Sequence, residues 1–241
     1  MSFLHFLRVR QLYEENTNII LGYHLLKSHA DVRGFRYIVY QLEQLSHEVG
    51  WFKFNKEIDK ILRGADCIWD YSKENISFLQ EIGIPKVKYL FIGYHKNLET
   101  IEHNQEKDID ILFYGCLNDR RANILKRLRQ RFKTVVLSAV YGKERDSYIA
   151  RSKIVLNMHY YPMQIIQQVR LSYLLNNRCF VISEYSDHNP YGDGIVTAKY
   201  DELIDVCEYY LARPDKRYII AERGYHLFRG NDMAENLSKI L

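Results

Sequence analysis

The feature of the sequence that most constrains the fold is the alternation of short apolar segments of strand type with amphipathic segments of helical period. Strands separated by helices of this length are typical of βαβ units and predict parallel sheets with helices packed on them. The predicted strands are 18–26, 36–41, 67–71, 87–92, 109–114, 134–140, 153–158 and 179–183, and the predicted helices are 56–64, 73–81, 121–132, 143–152, 163–176, 201–212 and 215–229.

A polar stretch, 95–108, interrupts this alternation and has no apolar period. We interpret it as the boundary between two α/β halves, each Rossmann-like with a parallel sheet, that meet at a cleft. The predicted domains are 1–100 on the acceptor side, which is short for such a domain, and 101–241 on the donor side.

Ligands of parallel α/β sheets bind beyond the carboxyl ends of the strands. The clearest candidate is the loop after the strand that ends at Tyr114, which contains Gly115, Asn118, Arg120 and Arg121. Glycine allows a ligand to approach the backbone, the start of the following helix offers N–H groups, and arginine adds charge-assisted bonds. We predict a phosphate site here, with both arginines at the surface; the alternative is a capped helix with solvated arginines.

Two further strand ends carry polar residues. Gly142 and Arg145 follow the next strand and repeat the arrangement of a turn and then a helix, although a solvated first turn fits equally well. His159 and Tyr160 follow the third strand and are candidates for holding a sugar or a base. A lone histidine is also often structural.

The next predicted helix provides a third group of candidates. Gln164, Gln167 and Gln168 share one face at spacings i, i+3 and i+4, with Arg170 two positions further. Their side chains could hold ligand hydroxyls; the alternative is a solvated face.

Metal, membrane-spanning and nucleic-acid functions have little support. The dinucleotide, P-loop and zinc motifs are absent, and Asp108 and Asp110, which form a D-x-D pair, lie at the amino end of their strand, away from the expected site. We therefore predict no metal and no cofactor. No apolar run reaches the about 20 residues that span a bilayer, and the four scattered cysteines are typical of free thiols in a reducing cytoplasm. The formal charge of +4 is too small by itself to indicate nucleic-acid binding, so the basic segment 120–133 is only a minor argument for that alternative.

The order of the motifs resembles the C-terminal domain of bacterial GT-B glycosyltransferases, in particular family-1-type enzymes encoded near surface-polysaccharide genes. The motifs are FYG-x-x-N-x-RR, YG-x-x-RD, KIVLN-x-HYY and RLSYLL-x-N-x-x-x-VISE. The upstream segments YQLEQL, IWDYSKENI and FIGY also match, and they contain the acceptor-side candidates Glu43, Asp70 and Tyr94. The resemblance covers about residues 36–230.

The resemblance implies that the second half binds a nucleotide-sugar, with the Gly115–Arg121 loop facing the diphosphate. Retaining families carry two glutamates between the segments that match HYY and VISE. Here Gln164 or Gln167 stands near the first position and Ser172 near the second, and none of them is acidic.

The sequence therefore favours a metal-independent glycosyltransferase that transfers a sugar from a nucleotide-sugar to a glycan or lipid-linked acceptor. His159 or Glu184 is the candidate base. The alternative is a non-catalytic nucleotide- or glycan-binding protein with a degenerate transferase fold, which the missing glutamates favour. The predicted location is the cytoplasm, and association with the inner face of the membrane is left open.

Overall fold

The computed structural model describes residues 12–45, 55–104, 106–161 and 165–241. These residues form two compact units. The first contains the described residues up to Phe91 together with Leu237–Leu241, and the second is Ile92–Asn236. The described strands form two separate parallel sheets with helices between the strands, which confirms the predicted α/β class with two Rossmann-like halves.

The first unit contains a four-stranded parallel sheet in the order β1-β2-β3-β4. Its elements are β1 (Asn18–Leu21), β2 (Tyr37–Gln41), α1 (Lys56–Gly64), β3 (Cys67–Asp70), α2 (Lys73–Glu81) and β4 (Val87–Tyr89). Both helices begin where a side chain caps them: Asn55 accepts from the N–H groups of Glu57 and Ile58, and Ser72 accepts from that of Asn75. The core of this unit lies between the sheet and these helices, and includes Val39, Ile61, Ile68 and Leu79.

The second unit contains a five-stranded parallel sheet in the order β6-β5-β7-β8-β9. Its elements are β5 (Ile109–Tyr114), α3 (Asp119–Arg129), β6 (Thr134–Leu137), α4 (Gly142–Ala150), β7 (Ser152–Asn157), α5 (Gln168–Asn176), β8 (Val181–Glu184), β9 (Val196–Ala198), α6 (Leu203–Leu211), α7 (Pro214–Arg229) and, as far as Asn236, α8 (Met233–Ser238). The central strands are apolar because both faces are covered: Ile111, Phe113, Ile154 and Leu156 are fully buried.

The polar stretch that follows Phe91 is part of the second unit. Asn177 at the end of α5 accepts from the N–H groups of Thr100 and Ile101, and Asn176 accepts from that of His95. Two buried asparagine side chains thus accept hydrogen bonds from the backbone of this irregular segment. The boundary between the two compact units, at 91/92, lies nine residues before the predicted domain boundary at 100/101. The assignment of donor and acceptor roles to the two domains stays a prediction.

No helix among the described residues is long and apolar enough to span a bilayer.

Candidate functional site

The candidate site is at the carboxyl end of the second sheet, where Gly115 follows the last residue of β5. The chain leaves β5 towards β6 on one side and later returns to β7 on the other, so β5 is the point at which the strand order reverses. Crevices beyond such a switch point are the usual ligand sites of open α/β sheets. Gly115 has φ +137°, a conformation that favours glycine, and its N–H donates to Leu137 O.

Two guanidinium groups lie beside Gly115. A Cβ atom at this position would be 2.7 Å from Arg170 Nη2 and 3.8 Å from Arg121 Nη1. The absence of a side chain therefore leaves room for the guanidinium of Arg170 next to the backbone. The sequence predicted Gly115, Arg121 and Arg170 separately as donor-site residues, and the structure brings them together.

Arg121 is only 2% exposed, so the expectation that it lies at the surface is wrong. Its Nη1 donates to Cys116 O at 2.7 Å, its Nε donates to His159 O at 3.3 Å, and its Nη2 donates to Met158 O. Its partners are thus backbone carbonyls, and no carboxylate among the described residues pairs with it. Burial, and then the charge of Arg170, lower the pKa of Arg121 to about 10, which leaves it charged at neutral pH.

Arg170 lies nearby and is partly exposed. Its Nη1 donates to the side-chain oxygen of Asn157 at 2.8 Å, and its guanidinium lies 4.9 Å from the centre of the Tyr114 ring. Burial lowers its pKa, and in the described residues it has no carboxylate partner. Among the described residues, neither Arg121 nor Arg170 forms an ion pair with a carboxylate. We call Gly115, Arg121 and Arg170 the arginine pair site.

Arg120 is oriented differently. It forms a bidentate ion pair with Glu184 at the end of β8, with Nη1 2.7 Å from Oε2, and its guanidinium is 4.0 Å from the centre of the Tyr200 ring. This pairing raises the pKa of Arg120. Of the two arginines that the sequence singled out in this loop, the one with a carboxylate partner is Arg120.

Glu184 and His159 are adjacent, as expected for residues at the ends of neighbouring strands. Oε2 of Glu184 also accepts from the backbone N–H of His159 at 2.9 Å, and Glu184 is only 1% exposed. Both of its oxygens therefore accept hydrogen bonds from the protein itself. Of the two residues predicted as candidate bases, Glu184 therefore has its side chain more fully hydrogen-bonded to the protein.

The imidazole of His159 is 1% exposed, and its Nε2 lies 2.8 Å from Tyr185 O. A carbonyl oxygen can only accept, so Nε2 carries the proton and Nδ1 has the lone pair. Nδ1 has no hydrogen-bond partner among the described residues. Burial lowers the pKa of His159, which favours the neutral ring.

This assignment can be measured. We expect long-range ¹H–¹⁵N correlation spectra to show His159 protonated at Nε2 and bare at Nδ1, with a titration midpoint below the ordinary 6.5 because burial penalises the charged ring. The variant His159→Gln identifies the resonances. A proton on Nδ1 in the neutral ring, or a midpoint at or above 6.5, would contradict the geometry.

The remaining predicted donor residues near Gly115 have structural partners. Asn118 caps α3 by accepting from Arg121 N at 3.0 Å, and its Nδ2 donates to Tyr160 O at 2.9 Å. The ring of Tyr160 lies 5.1 Å from the Arg121 guanidinium. These contacts place both residues at the arginine pair site, and their contact with a donor stays a prediction.

Gly142 and Arg145 follow the neighbouring strand, and Gly142 is the first residue of α4. Arg145 is paired with Asp146 at 2.8 Å, and its guanidinium lies 4.5 Å from the centre of the Tyr173 ring. This arginine therefore has a carboxylate partner, unlike Arg121 and Arg170.

The glutamine-rich helix begins later than predicted. Its first residue is Gln168, and Gln167 precedes it as the residue whose carbonyl oxygen accepts from the N–H of Arg170. Ser172 is buried, and its hydroxyl donates to Val169 O at 3.2 Å. Gln164 lies outside the described residues.

The acceptor-side candidates separate between the units. In the first unit, Glu43 lies two residues beyond β2, and Asp70 is the last residue of β3. Tyr94 belongs to the second unit, where its hydroxyl donates to Glu99 at 2.6 Å beside the ring of Tyr225. Tyr94 therefore belongs to a different compact unit from Glu43 and Asp70, and the acceptor role of all three stays a prediction.

The aspartates of the D-x-D pair are bonded to cations of the chain. Asp108 is paired with Arg151 and Lys133, which lower its pKa, and Asp110 is paired with Lys153. In the described ranges, no three histidine, cysteine, aspartate or glutamate side chains converge as metal ligands.

Sequence reasoning missed two residues of the site. Asn157 is fully buried and accepts from Arg170, and Tyr200 provides the ring on which Arg120 lies. Asn157 had a signal, because an asparagine that ends an apolar strand marks its polar end. Tyr200 had none, since its contact with Arg120 spans 80 residues of sequence.

Comparisons with known proteins give sequence relatives without an assigned function and structural neighbours that share the fold. No protein-family model matches the chain. Two proteins of Acanthamoeba polyphaga mimivirus, R358 and L140, both described as uncharacterized, are 30% and 29% identical over 182 residues. The matches cover 71% and 73% of this chain but only 62% and 56% of those proteins, so the chain spans about three fifths of the length of these relatives. The expected link to bacterial surface-polysaccharide genes stays a prediction.

Three solved structures resemble the chain more broadly. HepE of Anabaena in complex with UDP-glucose has a TM-score of 0.66 at 10% identity, and the match covers 88% of this chain and 73% of the HepE chain. TarM has a TM-score of 0.64 at 7% identity, with 86% and 50% covered. A glycosyltransferase from Rickettsia africae has a TM-score of 0.53 at 11% identity, with 88% and 70% covered. At these identities the likeness concerns the fold, which is that of GT-B glycosyltransferases, as the sequence motifs predicted.

Proposed function

We propose that this protein is a metal-independent glycosyltransferase that transfers a sugar from a nucleotide-sugar donor to a glycan or lipid-linked acceptor. The observation that carries the proposal is the arginine pair site: the buried guanidinium of Arg121 and the partly exposed guanidinium of Arg170, neither paired with a carboxylate in the described residues, beside a glycine at the switch point of a parallel sheet. A buried positive charge without an anionic partner is costly, and a bound anion compensates it. The shared fold with HepE, whose structure contains UDP-glucose, supports a nucleoside diphosphate as that anion.

The chemistry follows from the charge. When the bond between the sugar and the diphosphate breaks, its electron pair remains on the leaving diphosphate. Fixed guanidinium groups in a site with little water stabilise the charge that develops there. Arg121 and Arg170 would supply this stabilisation without a metal ion. Of the two candidate bases, His159 is the better placed, because its ring is neutral with a lone pair on Nδ1, whereas Glu184 is bound to Arg120.

Arg170 is the residue that tests the proposal, because its guanidinium makes a single hydrogen bond to the described residues, whereas that of Arg121 makes three. We expect Arg170→Met to weaken UDP binding by about 10- to 150-fold, since a charge-assisted bond contributes about 1.5–3 kcal/mol and 1.4 kcal/mol is a factor of ten. Uridine should bind both proteins equally, because it has no phosphate.

Isothermal titration of UDP, GDP, ADP and uridine in EDTA makes the measurement. Arg127→Met is the matched control, as it removes an exposed guanidinium from α3. If the nucleoside diphosphate that binds the wild type best binds Arg170→Met as tightly, the phosphate site is elsewhere and the donor assignment is wrong.

A second candidate function is a non-catalytic nucleotide- or glycan-binding protein. It is favoured by Ser172, whose hydroxyl is bonded within its own helix at a position where retaining enzymes carry a glutamate. Incubation with UDP-, GDP- and ADP-sugars and a panel of saccharide acceptors separates the two. Release of nucleoside diphosphate that depends on an acceptor requires an enzyme, whereas binding without release identifies a binding protein.

A further inference from the structure

A chain of side-chain contacts leads from Tyr200 to His159, and its first member has no part in the proposed function so far. Tyr200 lies two residues beyond β9. Ala198, the last residue of β9, pairs in register with Glu184, the last residue of β8. Because the carboxyl ends of neighbouring parallel strands meet at one edge of the sheet, Tyr200 lies at the same edge as Glu184.

Tyr200 makes two contacts with one residue, Arg120. Its hydroxyl donates to Arg120 O at 2.7 Å, in the first turn of α3, and the Arg120 guanidinium lies 4.0 Å from the centre of its ring. A guanidinium within about 6 Å of an aromatic centre is attracted by the face of the ring. Tyr200 therefore holds both the backbone and the guanidinium of Arg120.

Arg120 in turn holds Glu184 and His159. Its terminal nitrogens donate to both carboxylate oxygens of Glu184, and Nη1 also donates to His159 O at 3.3 Å. Oε2 of Glu184 accepts from His159 N at 2.9 Å. The N–H and the carbonyl oxygen of His159 are thus bonded to the two members of one ion pair.

This ion pair matters for the imidazole because it fixes the backbone that carries it. The ring of His159 is held by Tyr185 O through Nε2, and a base needs its lone pair, here on Nδ1, at a fixed position near the proton that it takes. The weak member of the chain is Arg120, whose side chain is 32% exposed. A guanidinium that reaches water can exchange its carboxylate for solvent, unless a neighbouring group holds it in place.

We propose that Tyr200 is a positioning residue of the transferase: its ring keeps the Arg120 guanidinium on Glu184, and this ion pair keeps His159 in place as the base. No hydrogen bond or ring contact of the described residues joins Tyr200 to His159 directly, so Tyr200 acts through Arg120. The inference rests on the proposed function for the catalytic role of His159, whereas the chain of contacts stands on the second unit alone.

The charges around His159 make this role measurable. Burial, the largest cause, lowers the pKa of His159, and the hydrogen bond to the Tyr185 carbonyl raises it. Among the charged groups, Glu184 raises this pKa, whereas Arg120 and Arg121 lower it. When the Arg120 guanidinium turns away, a cation leaves the histidine and Glu184 loses its counter-charge. Both changes favour the imidazolium, so the titration midpoint of His159 rises.

Long-range ¹H–¹⁵N correlation spectra, recorded from acid to neutral pH without substrate, test the inference. Tyr200→Leu keeps an apolar side chain against the core but removes the ring face. We expect it to raise the midpoint of His159 by about 0.5 pH unit or more, since a fully uncompensated charge within about 4–6 Å shifts a pKa by about 1–3 pH units. Tyr200→Phe keeps the ring and should retain the wild-type midpoint. Tyr200→Met makes the same test if Tyr200→Leu does not fold.

Further variants identify the route and control for the loss of a ring. Arg120→Met removes the cation outright and should raise the midpoint at least as much as Tyr200→Leu. The double variant should rise no further than Arg120→Met, because the ring acts through this guanidinium. The matched control is Tyr209→Leu on α6, which also removes a ring that carries an arginine, Arg213 at 3.7 Å, but lies outside the chain of contacts. Its midpoint should equal that of the wild type.

Four results overturn the inference: an unchanged midpoint in Tyr200→Leu or in Arg120→Met, a rise in Tyr200→Phe or in Tyr209→Leu equal to that in Tyr200→Leu, or additive rises in the double variant. The spectra need no substrate and are therefore independent of the titrations of UDP into Arg170→Met. Undiminished binding of UDP by Arg170→Met overturns the proposed donor site alone, whereas an unchanged midpoint overturns the positioning role of Tyr200 alone.

Discussion

Arg121→Met should destabilise the protein by about 3 kcal/mol or more, although the replaced residue is an arginine in the first turn of a helix. The buried guanidinium donates to three backbone carbonyls, Cys116 O, Met158 O and His159 O. Two charge-assisted bonds at about 1.5–3 kcal/mol each already reach this loss, and methionine fills most of the space without replacing them.

Urea denaturation of the two variants provides the measurement. Arg127→Met changes an exposed side chain of the same helix and should remain within about 0.5 kcal/mol of the wild type. If Arg121→Met unfolds at the urea concentration of the wild type, its carbonyl contacts contribute nothing to the fold, and Arg121 is then a ligand-binding residue only.

Glu184→Ala is the second substitution with a large expected effect. It removes the carboxylate that binds Arg120 in bidentate geometry and also accepts a hydrogen bond from His159 N. The side chain of Glu184 is only 2% exposed. Breaking a buried ion pair by removing one partner costs about 3–5 kcal/mol. Because the side chain of Arg120 is 32% exposed and can reach water, we expect a loss near the lower end, about 3 kcal/mol.

A double-mutant cycle with Arg120→Ala identifies the cause. Part of the loss in Glu184→Ala comes from the guanidinium left without its partner, so removing Arg120 as well should restore at least about 1 kcal/mol relative to the sum of the single losses. Additive losses would show that the two side chains do not stabilise each other, and the bidentate pair would have no energetic role.

Much of the fold could be predicted because local signals agree with tertiary packing. Helices α1 and α2 and strand β5 have the bounds that periodicity and capping predicted. β1 is shorter than predicted because Gly22, at φ 68°, turns the chain after Leu21 although the apolar residues continue. β9 was missed since a three-residue strand has too little pattern to distinguish it from a loop.

The candidate site was predictable in position but not in pairing. The rule that ligands bind at strand carboxyl ends located Gly115, Arg121 and His159. It could not determine which arginine has a carboxylate, because Arg120 and Glu184 are separated by 64 positions of sequence. The prediction that Arg121 lies at the surface is wrong for the same reason. Its side chain is buried, and it donates a hydrogen bond to a carbonyl at the end of a different strand.

The contacts of Arg121 have a consequence for the thermodynamics of binding. Its guanidinium connects Cys116, in the loop after β5, to Met158 and His159, just after the end of β7. The rotamer of this long side chain is thus already fixed, and the conformational entropy of ordering it has been lost during folding. A phosphate that binds here meets a preorganised cation, so this side chain adds little entropic penalty to association.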